Sequence, residues 1–151
     1  MSNEVILLVE DNPDDETLTL RALHKNNIMN TVVVARDGAE ALDYLFARGS
    51  YADRDAADLP QLVLLDLNLP KIGGVEVLRQ IRAEERLKLL PVVILTSSKE
   101  DRDLLAGYTV GANSYVVKPV DFVEFSEAVR QLGLYWLILN QRAPAVHASN
   151  G

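Results

Sequence analysis

Five short runs, V-I-L-L-V at 5–9, T-V-V-V-A at 31–35, L-V-L-L at 62–65, V-V-I-L at 92–95 and S-Y-V-V at 114–117, constrain this chain more than any other feature. They are rich in β-branched residues and mostly apolar throughout instead of alternating with polar ones. Such a run suits a strand covered on both faces, because a strand with one wet face alternates. Helix-period stretches separate them, at 16–25, 39–48, 75–83, 101–108 and 121–140. Five alternations of strand and helix imply right-handed crossovers, hence one parallel sheet with helices on both sides. The expected fold class is therefore α/β, a doubly wound five-stranded parallel sheet, and such sheets bind ligands outside the carboxyl ends of their strands.

The bulk properties bound the function classes. The chain has 151 residues, enough for one ordinary core but not for a second folded domain. We expect one domain over 1–141 and a disordered tail over 142–151. Cysteine is absent, which excludes disulfides and thiolate metal sites. A net charge of −7 repels a phosphate backbone, so nucleic acid is not an expected partner. The N-terminal stretch M-S-N-E-V-I-L-L-V lacks a basic segment before its apolar run, and that run is too short to span a bilayer. The expectation is a cytoplasmic protein with no membrane association. The polar segment G-S-Y-A-D-R-D-A-A-D-L at 49–59 has no period and reads as a long loop.

The residues just past the strand ends carry the chemistry. Glu10 and Asp11 come after the first strand, Asp66 and Asn68 after the third, Thr96, Ser97 and Ser98 after the fourth, Lys118 and Pro119 after the fifth. In a parallel sheet all of these share one edge. Three neighbouring carboxylates raise one another's pKa and need a countercharge to stay ionised. A hard cation such as Mg²⁺ meets that need with carboxylate, water and phosphoryl oxygens. Lys118 adds a second positive centre and Thr96 a hydroxyl donor. A carboxylate nucleophile with metal, lysine and hydroxyl suits receipt of a phosphoryl group, whose transfer depends on positioning and charge neutralisation. On this reading Asp66 stands in the open at the sheet edge, free to attack phosphorus.

The motifs V-E-D-N, L-L-D-L-N-L-P, L-T-S and Y-V-V-K-P, in this order and spacing, resemble the receiver domain of two-component response regulators over about residues 4 to 132. The resemblance implies a flavodoxin-like (βα)5 fold with strand order 2-1-3-4-5. It implies Mg²⁺ held by Asp11, Asp66 and the backbone carbonyl of Asn68, with Glu10 completing the acid pair. Asp66 would accept phosphate from a sensor histidine kinase or phosphotransfer protein, without enzymatic turnover beyond self-phosphorylation and self-dephosphorylation. Thr96 and Lys118 would engage the phosphoryl oxygens, Tyr115 would turn inward on activation, and the Lys118–Pro119 bond would be cis. Ser97 departs from the commonest pattern, where a small alanine is frequent.

Other residues have local explanations, and other chemistries lack a residue they need. Asp14 and Asp15 read as acids complementing the dipole of the first helix, and Gly73 and Gly74 as the turn before the third. His24 falls on a helix surface and His147 in the tail, neither with the setting of a phosphodonor. A haloacid-dehalogenase-type phosphatase needs a general acid where this chain has Asn68. A flavodoxin-type carrier needs a hydroxyl- and glycine-rich phosphate loop where this chain has E-D-N-P-D-D.

The last helix is expected to run on as an extended C-terminal element. Phe122, Phe125, Val129, Leu132, Trp136 and Leu139 recur at helical spacing as the face toward the sheet. Beyond Leu132, L-G-L-Y-W-L-I-L-N is apolar almost all round, so it must be covered, either by folding back over its own domain or by a partner. The favoured reading is a homodimer through Leu134, Tyr135, Trp136 and Ile138. These features resemble the single-domain regulators paired with bacterial phytochromes, which implies a light-regulated kinase as donor. A phosphate sink or shuttle without dedicated output is the second functional reading.

Overall fold

The computed structural model describes residues 5–97 and 111–139. The helical stretch expected at 101–108, together with Ser98, His147 and the 142–151 tail, lies outside them. Chain order is β1 (Val5–Val9), α1 (Pro13–Lys25), β2 (Thr31–Ala35), α2 (Gly38–Phe46), β3 (Leu62–Asp66), α3 (Gly74–Ala83), β4 (Val92–Thr96), β5 (Ser114–Val117), α4 (Phe122–Gln131) and a single turn, α5 (Tyr135–Ile138). The strands form one sheet in the order β2-β1-β3-β4-β5, every pair parallel.

Both faces of the three central strands, β1, β3 and β4, are dry. Leu7, Val9, Val63, Leu65, Val92 and Ile94 face α2 and α3, where Leu42, Leu45, Val77, Leu78 and Ile81 are buried. The alternate residues Ile6, Leu8, Leu62, Leu64, Val93 and Leu95 face α1 and α4, against Leu23, Phe125 and Val129. This two-sided burial is why β1, β3 and β4 read as unbroken apolar runs. The order turns between β1 and β3, whose carboxyl ends lie side by side, and in an open α/β sheet that crevice is where a ligand sits.

Three elements differ from expectation. First, α1 begins at Pro13, because Asn12 caps it through Oδ1, which accepts the N–H groups of Asp14 and Asp15 at 2.8 and 3.1 Å. Second, the segment after α2 is held in place despite its polar sequence. It opens with a 3₁₀ turn at Gly49–Tyr51; the Tyr51 hydroxyl donates to Glu40 at 2.8 Å, the Arg54 guanidinium lies 3.9 Å over the Tyr44 ring, and Arg86 donates to the Ala56 carbonyl. Tertiary contacts of this kind leave no periodic trace.

Third, the final helix is not continuous. It stops at Gln131, and Gly133 adopts a left-handed φ of 74° before the α5 turn. Glycine reaches that conformation without steric cost, and it commonly ends helices there. The break folds α5 back over the domain: Ile138 is 0% exposed within the α1/α4 core, and Leu132, Leu134 and Leu139 pack against it. Ile138 is therefore a core residue, which corrects its expected place in a dimer interface. The break also rotates Trp136 off the sheet-facing side, leaving it 66% exposed; Phe122, at the start of α4, is likewise exposed rather than packed on the sheet.

Candidate functional site

Each strand delivers its last residue to the same rim. The β1 backbone continues its pairing to Glu10, whose N–H donates to the Ala35 carbonyl at 2.9 Å, so the Glu10 side chain enters the interior and Asp11 emerges exposed. β3 ends on Asp66 itself. The loop after it is held close by Gly74, whose N–H donates to the Leu67 carbonyl at 3.1 Å. A Cβ at Gly74 would stand 2.3 Å from the Asp66 carbonyl oxygen, so only glycine lets α3 start against the backbone beneath the site. β4 ends on Thr96, fully buried. Its carbonyl accepts the Lys118 N–H at 2.7 Å, setting the lysine at the same level, and the Lys118–Pro119 bond beyond it is cis.

The side chains converge. Glu10, Asp11 and Asp66 each present a carboxylate oxygen, and these oxygens lie within 4.8 Å of one another. Oxygens bound to one Mg²⁺-sized ion lie at most about 4.2 Å apart, so a hard divalent cation fits with sub-ångström adjustment. The Lys118 ammonium lies 3.2 Å from Glu10 Oε1 and 3.5 Å from Asp66 Oδ2. The Asn68 N–H donates to Asp66 Oδ1 at 3.2 Å, which turns the Asn68 backbone toward the acid.

Asp66 is 2% exposed. This corrects the expectation of a carboxylate standing in the open: it ends a central strand with β1 and β4 on either side, and Glu10 and Lys118 close over it. Burial has an electrostatic consequence. It pushes the Glu10 carboxyl up to about 7, with the Asp66 charge adding to the rise and Lys118 opposing it. Burial likewise raises Asp66, against the lowering pull of Lys118 and of the Asn68 N–H. Lys118 is itself drawn down by burial but ends above its ordinary value, because Asp15, Asp66 and Glu10 surround it. The site carries more negative charge than one ammonium balances, and a divalent cation would supply the difference.

Asp15 is the residue that sequence reasoning missed. Its carboxylate makes the shortest of the Lys118 ion pairs, 2.8 Å from Nζ to Oδ2. Nothing in the pattern flagged it, since an acid in the first turn of a helix already has a dipole explanation. Tyr115 sits on edge strand β5, 43% exposed. Near the C-terminus, Leu134 and Tyr135 are half-buried, Tyr135 lying under the Arg130 guanidinium at 4.5 Å, and Trp136 and Leu137 are exposed. His24 lies on the surface of α1.

A doubly wound sheet with an acid cluster, a buried threonine and a lysine at its carboxyl edge defines a class. Residues 6–130 match the response regulator receiver domain family, and the chain belongs to that family. Receiver domains are signalling modules that bind a divalent metal and take their signal from a histidine kinase or phosphotransfer protein.

Particular relatives narrow the likeness. The chain is 42% identical over 137 residues to the "Probable methanogenesis regulatory protein FilR2" of Methanothrix harundinacea, covering 91% of this chain and 86% of the relative. It is 37% identical to the response regulator Rcp1 of Synechocystis, covering 89% of each. Among solved structures, the bacteriophytochrome response regulator AtBRR superposes with a TM-score of 0.85 at 53% identity, over 93% of this chain and 99% of that one. The Mn²⁺-bound form of Rcp1 gives 0.68 at 36% identity over 88% and 92%. The phosphorylated cyanobacterial phytochrome response regulator RcpA gives 0.71 at 38% over 90% and 95%.

Proposed function

We propose that Asp66 accepts a phosphoryl group from a histidine kinase in a Mg²⁺-dependent reaction, and that the donor is a phytochrome-type kinase. The observation that carries this is the convergence of Glu10, Asp11 and Asp66 with Lys118 at one sheet edge. The similarity to AtBRR, to Mn²⁺-bound Rcp1 and to phosphorylated RcpA supports donor class, metal and chemistry alike.

The family resemblance implies the roles, and the convergence at the sheet edge supports them. An Asp66 carboxylate oxygen forms the new P–O bond as the P–N bond of the phosphohistidine breaks, and the leaving imidazole nitrogen takes a proton from solvent. Asp11, Asp66 and the Asn68 carbonyl would hold a Mg²⁺, with Glu10 completing the acid pair. Bound there, the ion would supply the positive charge a phosphoryl group needs in order to approach three carboxylates. The Asn68 N–H keeps Asp66 oriented and favours its ionised form. Lys118 and the Thr96 hydroxyl then hold the transferred oxygens, and Tyr115 moves inward as Thr96 shifts.

The domain over 1–141 acts as a phosphoacceptor rather than a turnover enzyme, in the cytoplasm, where the phosphohistidine is made from ATP. Among the described residues no helix is long and apolar enough to cross a membrane. The net charge of −7 speaks against a nucleic-acid partner. A second copy of the chain covers the exposed Trp136 and Leu137, flanked by Leu134 and Tyr135. The experiment is phosphotransfer from an autophosphorylated phytochrome kinase. Wild type takes up a hydroxylamine-sensitive label with Mg²⁺ and none with chelator, and Asp66→Asn takes up none. Label persisting on Asp66→Asn refutes the acceptor; transfer from unrelated kinases at an equal rate refutes the donor.

A further inference from the structure

We propose that Asp15 is a positioning residue for Lys118, holding the ammonium on the α1 side of the site until a phosphoryl group on Asp66 draws it away. This deepens the phosphoacceptor reading and rests on it. Lysine has three N–H donors and no acceptor, and here they face three carboxylates. The distances are graded: 2.8 Å to Asp15, 3.2 Å to Glu10 and 3.5 Å to Asp66. Lys118 thus lies nearest the one acid of the three that the metal cluster does not include.

Capping does not account for the Asp15 carboxylate. The free N–H groups at the start of α1 go to Asn12 Oδ1, including that of Asp15 itself. Asp14, beside it, is exposed, and its carboxylate makes no ion pair among the described residues. The two adjacent acids share a dipole position, but Asp15 is the half-buried one and the one that contacts Lys118.

A phosphoryl group on Asp66 adds negative charge and strong acceptor oxygens at the carboxylate that lies farthest from the ammonium. Lys118 must close the longest of its three gaps to reach them, and leaving Asp15 opposes that movement. Asp15 therefore makes the transition from unphosphorylated to phosphorylated site less favourable, and it ties the lysine's switch to the first turn of α1.

Binding of beryllofluoride, a phosphoryl mimic, tests this in the intact protein with Mg²⁺. Asp15→Asn should bind it about two- to five-fold more tightly than wild type, the range of a partly exposed ion pair. Asp14→Asn removes the same charge from the same turn and should change the affinity less. In a Lys118→Met background the effect of Asp15→Asn should vanish, while Asp15→Glu should stay near wild type. Without metal or mimic, the Lys118 ζ-nitrogen resonance should shift in Asp15→Asn and stay in place in Asp14→Asn. Equal responses at positions 14 and 15, an Asp15 effect that survives loss of Lys118, weaker binding by Asp15→Asn, or an unmoved ζ-nitrogen would each overturn the proposal. Failure of wild type to bind the mimic would instead overturn the Asp66 reading itself.

Discussion

Two partly buried cations sit at opposite ends of the sheet, and their partners differ in kind. At the carboxyl edge Lys118 faces three carboxylates, Asp15, Glu10 and Asp66. At the amino edge Arg82, from the end of α3, donates to the carbonyls of Gly111, Lys88 and Leu90 and to Asn113 Oδ1, which also accepts the Val92 N–H. The arginine fork is held by neutral groups that no metal or phosphate alters, so it fastens α3 to the strand starts. The lysine is balanced among charged groups whose ionisation and ligation change, so its position responds to the site's contents. One cation is a fastener and the other a switch.

The largest expected effect lies at the fastener. Arg82→Met should lower folding stability by about 3–4 kcal/mol, because several carbonyls lose a charged donor, with phosphotransfer intact wherever the protein is folded. Thermal denaturation beside a transfer assay checks it; lost transfer at unchanged stability would erase the distinction.

The switch end should show itself through pH. With Glu10 near 7 folded and 4.5 unfolded, the native state keeps a proton that the unfolded chain releases between those values. Stability from this group is fully present below about pH 4.5 and lost as pH rises through 7, by about 2–3 kcal/mol. Urea midpoints in chelator should therefore fall from pH 5 to 7.5, more steeply than in Glu10→Gln. Added Mg²⁺ should remove the difference by replacing the proton.

Gly74→Ala tests the loop between the two ends. With backbone 2.3 Å from the new Cβ, it should cost about 2 kcal/mol and slow phosphorylation by displacing Asp66. Equal slowing without loss of stability would mean that the glycine serves the chemistry alone. The smallest stability change should come from Lys118→Met, within about 1 kcal/mol of wild type, since removing the ammonium leaves Glu10 and Asp66 free to protonate. Its phosphorylated form should nonetheless fail to rearrange, read as loss of the phosphate-dependent Tyr115 signal.

The sequence made some of this legible and hid the rest. Strand positions were readable to within a residue because β1, β3 and β4 are dry on both faces, and two-sided burial leaves an uninterrupted apolar mark. The rim residues were readable because a parallel sheet delivers all its carboxyl ends to one edge. Asp15 was hidden by a sufficient local explanation. The held loop after α2 was hidden because Arg54 and Arg86 act across the fold, at no fixed spacing. The helix break at Gly133 was hidden inside an apolar run whose periodicity continues through it.

The chain's own pattern decided the fold class, the acid, threonine and lysine set, and the excess of negative charge that calls for a cation, because these follow from periodicity and from residue type at strand ends. Only the folded molecule decided that Asp66 lies covered, that Lys118 leans toward Asp15, and that Ile138 turns inward while Trp136 remains outside. Those outcomes depend on distances between segments remote in sequence, set by how helices seat on the sheet, and no local spacing encodes them.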